Sequence, residues 1–195
     1  MDLSDREARK NEDGNEAKRT RVERSCPVVI SDTSTETLES VRRLLSASLP
    51  VRISDAFYKQ ISKGEVISIE ARLEDGTMVG QAAWGALKET PGQVYIYSLA
   101  VDSRYRREGI GTRLLKEILR RNIQHKDDDS AEADCVAEMC LHVRTDNGDA
   151  IEFYTRFGFK NEKLEKNFYA RLNPSSAYYL VRPSSSFHSA GHSSN

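Results

Sequence analysis

The sequence lacks long apolar runs and an excess of charge of either sign. No stretch of the 195 residues approaches the roughly 20 consecutive apolar residues of a membrane-spanning helix. The 29 basic and 30 acidic residues give a net charge of −1, so no general basic field favours nucleic acid. We therefore expect the domain to bind neither membranes nor nucleic acid directly.

Cysteine is also scarce. The three cysteines, Cys26, Cys135 and Cys140, are odd in number and have no Cys-x-x-Cys spacing, which speaks against a metal site. Free thiols are typical of proteins in a reducing compartment. The N-terminus is charged from Asp2 onward and lacks the apolar segment of a secretory signal. We expect a cytoplasmic location, with the nucleus as an additional one, and no bound metal.

Composition divides the chain into one domain, residues 26–182, and two polar tails. Residues 1–25 form a charged tail that is predicted to be disordered, because it cannot bury enough apolar surface to offset the entropy of ordering it. Its cluster Lys18–Arg21 is either simply solvated or a nuclear-import or RNA-contact patch. Residues 183–195 are rich in serine and are likewise predicted to be disordered.

The spacing of apolar residues alternates along the chain between that of strands and that of helices. Asp75-Gly76 is a hairpin signal between two strands, and Pro50 prevents the first helix from continuing.

The acidic segment of residues 126–134 lacks the spacing of EF-hand ligands and is predicted to be a solvated loop rather than a calcium or basic-partner site. The predicted strands are Pro27–Ile30, Val66–Leu73, Met78–Leu87, Val94–Val101, Cys135–Val143, a segment that starts at Phe159, and Ala177–Val181. The predicted helices run from the capping residues Ser31–Ser34 to Leu45, and over Asp55–Ser62, Gly111–Asn122 and Asn147–Phe157.

The most informative stretch is Val94–Leu115, which reads as a strand, a basic turn and an amphipathic helix. The turn contains the pattern Arg106-x-x-Gly109-x-Gly111. A glycine-containing turn that opens a helix presents unpaired N–H groups and the positive end of the helix dipole, which suits a phosphate or pyrophosphate. No Gly-Lys-Ser/Thr follows, and the pattern Gly-x-Gly-x-x-Gly is incomplete, so neither a P-loop nor a dinucleotide fingerprint is present.

This turn, the preceding strand YIYSLAV and the later segment AIEFYTRFGF resemble the GNAT family of acetyl-coenzyme A-dependent N-acetyltransferases. The resemblance covers about residues 27–182. It implies a mixed α/β (α+β) GNAT fold, whose mostly antiparallel central sheet has about seven strands, carries about four helices and is splayed between strands 4 and 5. It also implies acetyl-CoA as the cosubstrate and no metal.

The resemblance further implies which residues bind the coenzyme. Backbone N–H groups near Leu99 and Val101 are expected to bind the thioester oxygen, because the family splits its sheet there with a bulge. Asn147 either contacts the coenzyme or only caps a helix, and Tyr154 is either the acid for the leaving thiolate or a core residue. The implied coenzyme-binding residues are Leu99, Ala100, Val101, Arg106, Arg107, Glu108, Gly109, Ile110, Gly111, Thr112, Asn147 and Tyr154.

Several short segments occur in the order seen in one subfamily, that of the catalytic subunit of NatE. They include Leu49-Pro50-Val51, Tyr95-Ile96, Leu141-His142-Val143 and Asn167-Phe168-Tyr169. This similarity implies an N-terminal acetyltransferase whose general base is a water held by Tyr95 and His142, with Tyr154 as the third catalytic residue. It implies substrates that begin with Met followed by a hydrophobic residue, and association with the NatA complex and the ribosome.

The residues themselves support a histidine base. His142 lies in a predicted strand, whereas His125, His188 and His192 lie in a predicted loop or tail. A histidine with a pKa near 6.5 accepts a proton at neutral pH, although a buried strand histidine is the alternative interpretation. An α-amine with a pKa of about 7.7–8.0 is neutral far more often than a lysine at about 10.4, so a modest base suits N-terminal amines.

The implied peptide-binding residues are Leu49, Pro50, Val51, Ile53, Tyr95, Tyr97, His142, Phe168, Tyr169 and Leu172. Leu49, Ile53 and Phe168 stand where the subfamily has Phe, Tyr and Tyr. Loss of a neutral hydrogen bond at such a position weakens binding by roughly 0.5–1.5 kcal/mol. Two alternatives therefore remain: a weakly active or non-catalytic acetyl-CoA-binding subunit of a ribosome-associated complex, and a lysine or small-amine acetyltransferase.

Overall fold

A computed structural model describes residues 26–123 and 138–183. The tail of residues 1–25 with Lys18–Arg21, the acidic segment of residues 126–134, Cys135 and residues 184–195 lie outside the described residues. Within the described ranges no helix is long and apolar enough to cross a membrane. The same ranges contain no group of three or more His, Cys, Asp or Glu side chains arranged to hold a metal ion.

Among the described residues, seven strands form one sheet in the order β1-β2-β3-β4-β5-β7-β6, and four α-helices accompany it. Strands β4 and β5 are parallel, and every other neighbouring pair is antiparallel. The predicted mixed, mostly antiparallel sheet is confirmed. The strands are β1 (Val29–Asp32), β2 (Ile67–Arg72), β3 (Met78–Ala86), β4 (Gln93–Val101), β5 (Glu138–Arg144), β6 (Lys160–Glu165) and β7 (Ala177–Pro183). The α-helices are α1 (Leu38–Ser48), α2 (Asp55–Ser62), α3 (Ile110–Ile123) and α4 (Gly148–Arg156).

Two apolar clusters hold the helices on the sheet. The larger one contains the buried face of α3, with Ile110, Leu114 and Ile118, and it confirms the apolar stripe predicted for this helix. The smaller one joins α1 and α2 to β3 and β4. Close packing of α3 depends on Gly80 of β3, because a Cβ there would lie 3.0 Å from the side chains of both Ile110 and Leu114.

The sheet opens between β4 and β5, as the resemblance implies. The two strands pair over only three residue pairs, from Gln93–Glu138 to Tyr95–Cys140, while β4 continues along β3 to Val101. The register between β3 and β4 shifts at Tyr97, which has no partner on β3. This bulge lies two residues before the predicted oxyanion region at Leu99. The result is a fork whose two arms are the later halves of β4 and β5.

The predicted start of the chain's first helix is wrong. Ser31 and Asp32, predicted as capping residues, instead pair with Glu70 and Ile69 and extend β1. Tertiary strand pairing therefore overrides a local capping signal. A 3₁₀ turn at Thr35–Thr37 then leads into α1.

The predicted end of α1 is also wrong. The helix runs through Ser48, three residues beyond the predicted Leu45, so residues 46–48 are not loop. It ends at Leu49, whose backbone is extended with φ −111° and ψ 140°. Pro50 ends α1, as the sequence indicated. A proline disfavours helical backbone in the residue before it, which here is Leu49.

The remaining boundaries agree more closely. Helix α2 has the predicted bounds, and α3 and α4 lie within one residue of theirs. The predicted start of β5 at Cys135 lies outside the described residues, and β5 is described from Glu138. Strand β7 continues past the predicted Val181 to Pro183, which pairs with Glu138, so Pro183 belongs to the sheet rather than to the tail.

Candidate active site

The fork between β4 and β5 brings Tyr95 and His142 together from positions 47 residues apart. Tyr95 is paired with Cys140, and His142 lies two residues further along β5, on the same face of the sheet. The hydroxyl oxygen of Tyr95 lies 2.8 Å from Nδ1 of His142, a direct hydrogen bond. The two residues predicted to hold the catalytic water are therefore in contact with each other.

Glu165, at the end of β6, contacts the other nitrogen of the imidazole. Its Oε2 lies 3.1 Å from Nε2 of His142, although Nε2 does not form an aligned hydrogen bond. A carboxylate at this distance favours a proton on Nε2. Nδ1 then carries the lone pair and accepts the hydrogen bond from the Tyr95 hydroxyl.

Burial sets the protonation of both partners. The His142 side chain is 10% exposed, and this desolvation lowers the pKa of His142, against the opposing effect of the Glu165 carboxylate. The imidazole is therefore neutral near pH 7. Burial likewise raises the pKa of Tyr95, so its hydroxyl keeps its proton. The pair consists of a neutral acceptor and a neutral donor, as a proton relay requires.

Six rings form a continuous row across the fork, which we call the aromatic row: Phe57, Tyr97, Tyr95, His142, Phe168 and Tyr169. Successive ring centroids are 6.1, 5.0, 5.8, 3.8 and 4.8 Å apart. Within the row, Phe168 stacks on the imidazole of His142 with only 10° between the planes. Tyr97 and Phe168 are 37% and 42% exposed, whereas Phe57 and the His142 side chain are largely buried, so the row reaches solvent at Tyr97 and Phe168.

The loop between α1 and α2 lies at one end of the aromatic row. Its predicted pocket residues Leu49 and Ile53 are partly buried against the cluster that contains Phe57, whereas Pro50 is exposed. Arg42 holds the two helices together, because its Nη1 lies 2.6 Å from Asp55 Oδ1 and its guanidinium lies 4.1 Å from the centre of the Tyr58 ring.

At the other end of the row lies the loop between β6 and β7, which carries Phe168 and Tyr169. Asn167 has a left-handed backbone with φ 60°, and its Oδ1 accepts a 2.9 Å hydrogen bond from Ser175. Leu172 lies in the same loop, where its N–H donates to the Tyr169 carbonyl at 2.8 Å. This backbone hydrogen bond joins Leu172 to one member of the aromatic row, while the place of the Leu172 side chain in the peptide site stays a prediction.

The turn before α3 has the geometry of an anion site. Gly109 and Arg107 adopt positive φ values of 76° and 68°. The first helical hydrogen bond runs from Arg113 N to Gly109 O, at 3.0 Å, so the N–H groups of residues 110–112 precede the hydrogen-bonded part of the helix. Arg106 and Arg107 are exposed beside them, and Arg106 Nε also donates to Val101 O at 3.2 Å. These groups fit a pyrophosphate.

The part of β4 expected to contact the thioester leads directly to this turn. A Cβ on Gly111 would lie 3.7 Å from the Leu99 side chain, which places Leu99 against the start of α3. Ala100 is buried on the other face, under α1 and α2. Among the described residues, β5 does not pair with β4 beyond Tyr95, so this side of the strand is open at the fork.

A family model described as Acetyltransferase (GNAT) family matches residues 38–159. The chain belongs to the GNAT family. The predicted class of enzyme, an N-acetyltransferase, is thereby confirmed.

Named relatives agree with the resemblance to the NatE catalytic subunit. N-alpha-acetyltransferase 50 of Danio rerio is 29% identical over 155 residues, covering 80% of this chain and 88% of the relative. The probable N-acetyltransferase san of Drosophila melanogaster is 29% identical over 157 residues, covering 80% of each chain. The structure of Arabidopsis thaliana Naa50 in complex with the bisubstrate analogue CoA-Ac-MVNAL has a TM-score of 0.68 and 29% identity, covering 80% of this chain and 97% of that one.

In this GNAT domain, Asn147 and Tyr154 have clear structural roles. Asn147 Oδ1 accepts a 3.2 Å hydrogen bond from Ala150 N and so caps α4. Tyr154 packs edge-on against Phe153 and Phe159 in the main core, and burial raises its pKa. The core interpretation of Tyr154 is supported, while its role as the acid for the thiolate stays a prediction.

Three members of the candidate site were not predicted from the sequence. Tyr179 is paired with His142 across β5 and β7, and its ring lies 4.9 Å from the imidazole. Phe57 starts the aromatic row; the segment Phe57-Tyr58 is shared with the NatE subfamily but was not assigned to the peptide site. Glu165 lay in a strand whose burial pattern is almost wholly exposed, so nothing in the sequence distinguished it from its charged neighbours.

Proposed function

We propose that this GNAT enzyme transfers the acetyl group of acetyl-CoA to the α-amine of protein N-termini, with a preference for Met followed by a hydrophobic residue. The observation that carries the proposal is the neutral Tyr95–His142 pair at the fork, a short distance along β4 from an anion-binding turn. Relatives named N-alpha-acetyltransferase 50 support it, as does the CoA-Ac-MVNAL analogue bound by the Arabidopsis protein, whose peptide begins with Met-Val.

Arg106, Arg107 and the first N–H groups of α3 would bind the coenzyme pyrophosphate. When bound, acetyl-CoA would supply the acetyl group as a reactive thioester, and Tyr154 would donate the proton that the leaving thiolate takes up when the C–S bond breaks, as the resemblance implies. Backbone N–H groups near Leu99 and Val101 on the open side of β4 would bind the thioester oxygen as it becomes negative. The chain thereby orients the carbonyl towards the aromatic row without forming an acyl-enzyme.

The proton of the attacking amine would leave through a water on Tyr95. The water passes the proton to the Tyr95 oxygen while the Tyr95 hydroxyl proton moves to Nδ1 of His142, 2.8 Å away. This relay requires a neutral imidazole, which burial provides by lowering the pKa of His142. A base of this modest strength suits an α-amine with a pKa of about 7.7–8.0 better than a lysine at about 10.4.

The aromatic row would receive the peptide. Leu49 and Ile53 with Phe57 form the apolar end at which the first side chain would bind. Tyr169 would bind the peptide backbone at the opposite end, while Phe168 has no hydroxyl to offer. Because the subfamily associates with NatA at the ribosome, we extend the proposal to these partners. We also propose a cytoplasmic location, with the nucleus as an additional one.

The sharpest test is an acetylation assay with a peptide library that varies the first two residues. We expect acetylation of Met-Leu and Met-Val peptides at the α-amine, located by fragmentation mass spectrometry. The His142→Ala protein should bind acetyl-CoA in calorimetry but turn over far more slowly. Equal turnover by the two proteins would contradict the proposed base.

The stacking of Phe168 on His142 favours one second candidate, a weakly active acetyl-CoA-binding subunit. Binding of acetyl-CoA without acetylation of any library peptide would support that candidate. Acetylation of internal lysine in N-terminally blocked peptides, or of polyamines, would instead support the lysine or small-amine alternative.

A further inference from the structure

We propose that Glu165 is a positioning residue for the Tyr95–His142 pair, because its carboxylate keeps the proton on Nε2 and so leaves Nδ1 as the acceptor. This inference rests on the proposed function for its catalytic consequence. The effect of Glu165 on the imidazole of His142 does not depend on the identity of the substrate.

The carboxylate of Glu165 contacts two side chains, His142 and Lys163, that differ in solvent exposure. Its Oε2 lies 3.1 Å from His142 Nε2, and its Oε1 lies 3.0 Å from Lys163 Nζ. The His142 side chain is 10% exposed, whereas that of Lys163 is 67% exposed. Because water screens the pair with Lys163 more strongly, the contact with His142 is the one in which the carboxylate charge acts at low dielectric.

Every neighbouring element contributes to the environment of His142. Strand β4 contributes Tyr95, β7 contributes Tyr179, and the loop after β6 contributes the stacked Phe168 ring, all of them uncharged. The two charged groups that act on the imidazole both come from β6. Glu165 raises the pKa of His142 and Lys163 lowers it, while burial has the largest effect.

Glu165 is ionised when it acts in this way. A hydrogen bond from Lys163 holds the pKa of Glu165 below its usual range. An ionised carboxylate 3.1 Å from Nε2 favours an N–H over a lone pair on that nitrogen by its charge, although the two groups are not aligned as a hydrogen bond, so it selects one of the two neutral tautomers. When the relay moves the Tyr95 hydroxyl proton to Nδ1, the resulting imidazolium also faces this negative charge.

Two substitutions on β6 separate this role from a merely structural one. Glu165→Gln removes the negative charge, and Lys163→Gln removes the positive one. Glu162→Gln is the matched control, since it makes the same change at an exposed position of β6. We expect Glu165→Gln to lower the pKa of His142 by about one pH unit, the low end of the effect of a nearby opposite charge. Lys163→Gln should raise it by less, and Glu162→Gln should leave it unchanged.

The measurement is the pH titration of the imidazole ¹⁵N signals by NMR, with His142 assigned by the signals that disappear in His142→Asn. The wild-type signals should report the Nε2–H tautomer, and Glu165→Gln should weaken this preference. In the peptide assay, the acidic limb of kcat/KM should shift in the same direction as each titration. Because the Lys163 side chain is exposed, Lys163→Gln should leave the strand intact, so this variant retains the test if Glu165→Gln fails to fold.

The outcomes distinguish the two proposals. If Glu165→Gln, or in its place Lys163→Gln, changes activity but neither the tautomer nor the pKa of His142, the role of this pair is structural and the inference is overturned. If the titrations shift as expected but the wild type acetylates no peptide, the proposed function fails while the effect of Glu165 on the imidazole is supported. If the His142 titration and the pH profile of kcat/KM shift together, the proposed function and the role of Glu165 are both supported.

Discussion

Tyr95→Phe offers the most direct test of the proposed relay, because it removes one oxygen atom and little else. The ring contacts of Tyr95, with centroids 5.0 Å from Tyr97 and 5.8 Å from His142, remain in the variant. The hydrogen bond to His142 Nδ1 is lost. The substitution therefore separates the chemistry of the hydroxyl from the packing of the aromatic row.

The expected magnitudes differ sharply between stability and rate. A buried acceptor left without its partner costs about 1–3 kcal/mol, and the preserved ring packing places the loss of unfolding free energy near the lower value. Loss of a positioned acid–base group lowers the rate by typically about 10²–10⁴-fold. That factor corresponds to about 2.7–5.4 kcal/mol in the activation barrier. The barrier should thus change by more than the folding free energy.

The assay is steady-state acetylation of a Met-Leu peptide, with urea unfolding of the same proteins. Tyr178→Phe is the matched control, because Tyr178 pairs with Val143 across β5 and β7, on the opposite face of the sheet from His142, and packs against the main core. We expect kcat to fall for Tyr95→Phe while the affinity for acetyl-CoA is unchanged. For Tyr178→Phe we expect kcat to equal that of the wild type. A fall of less than tenfold in kcat for Tyr95→Phe would refute the relay through this hydroxyl.

Three further predictions concern the peptide site, the core and acid stability. Phe168→Tyr restores a hydroxyl and should lower the peptide KM by about two- to tenfold at unchanged kcat, the worth of a neutral hydrogen bond; an altered kcat would contradict this role. Gly80→Ala should reduce the free energy of unfolding by about 1–3 kcal/mol in urea titrations, because its Cβ would crowd α3; unchanged stability would disprove the close packing. Hydrogen bonding from Arg120 lowers the pKa of Glu117 to about 2, so the ionised carboxylate stabilises the fold above its ordinary pKa near 4.5. The stability advantage of the wild type over Glu117→Gln should therefore shrink as pH falls from about 4.5 to 2, and an advantage constant over this range would contradict the ion pair.

The turn before α3 is the part of the candidate site that could be predicted most completely from the sequence. Arg106, Gly109 and Gly111 are neighbours in the chain, and the backbone bend they require is local. The structure adds the positive φ at Arg107, which the pattern of glycines did not indicate. The helix that follows has its predicted apolar face, because a period of 3.6 residues can be read directly from the sequence.

The pairing of Tyr95 with His142 was accessible only through resemblance to a family. Composition and spacing indicated one core histidine but left a buried structural histidine as an alternative. The 2.8 Å contact depends on the register of β4 with β5 and on the end of their pairing after three residue pairs. A shift of one residue in either strand would turn one of the side chains to the opposite face.

The family, the order of elements and the glycine-containing turn before α3 were thus predictable from the sequence, because all of them depend on local patterns. The strand positions of Ser31 and Asp32, and the contacts of Glu165 and Tyr179 with the imidazole, could be seen only in the folded chain. These contacts join residues from strands far apart in the chain. Their geometry follows from sheet order, register and one bulge at Tyr97, which side-chain packing sets cooperatively and no local segment encodes.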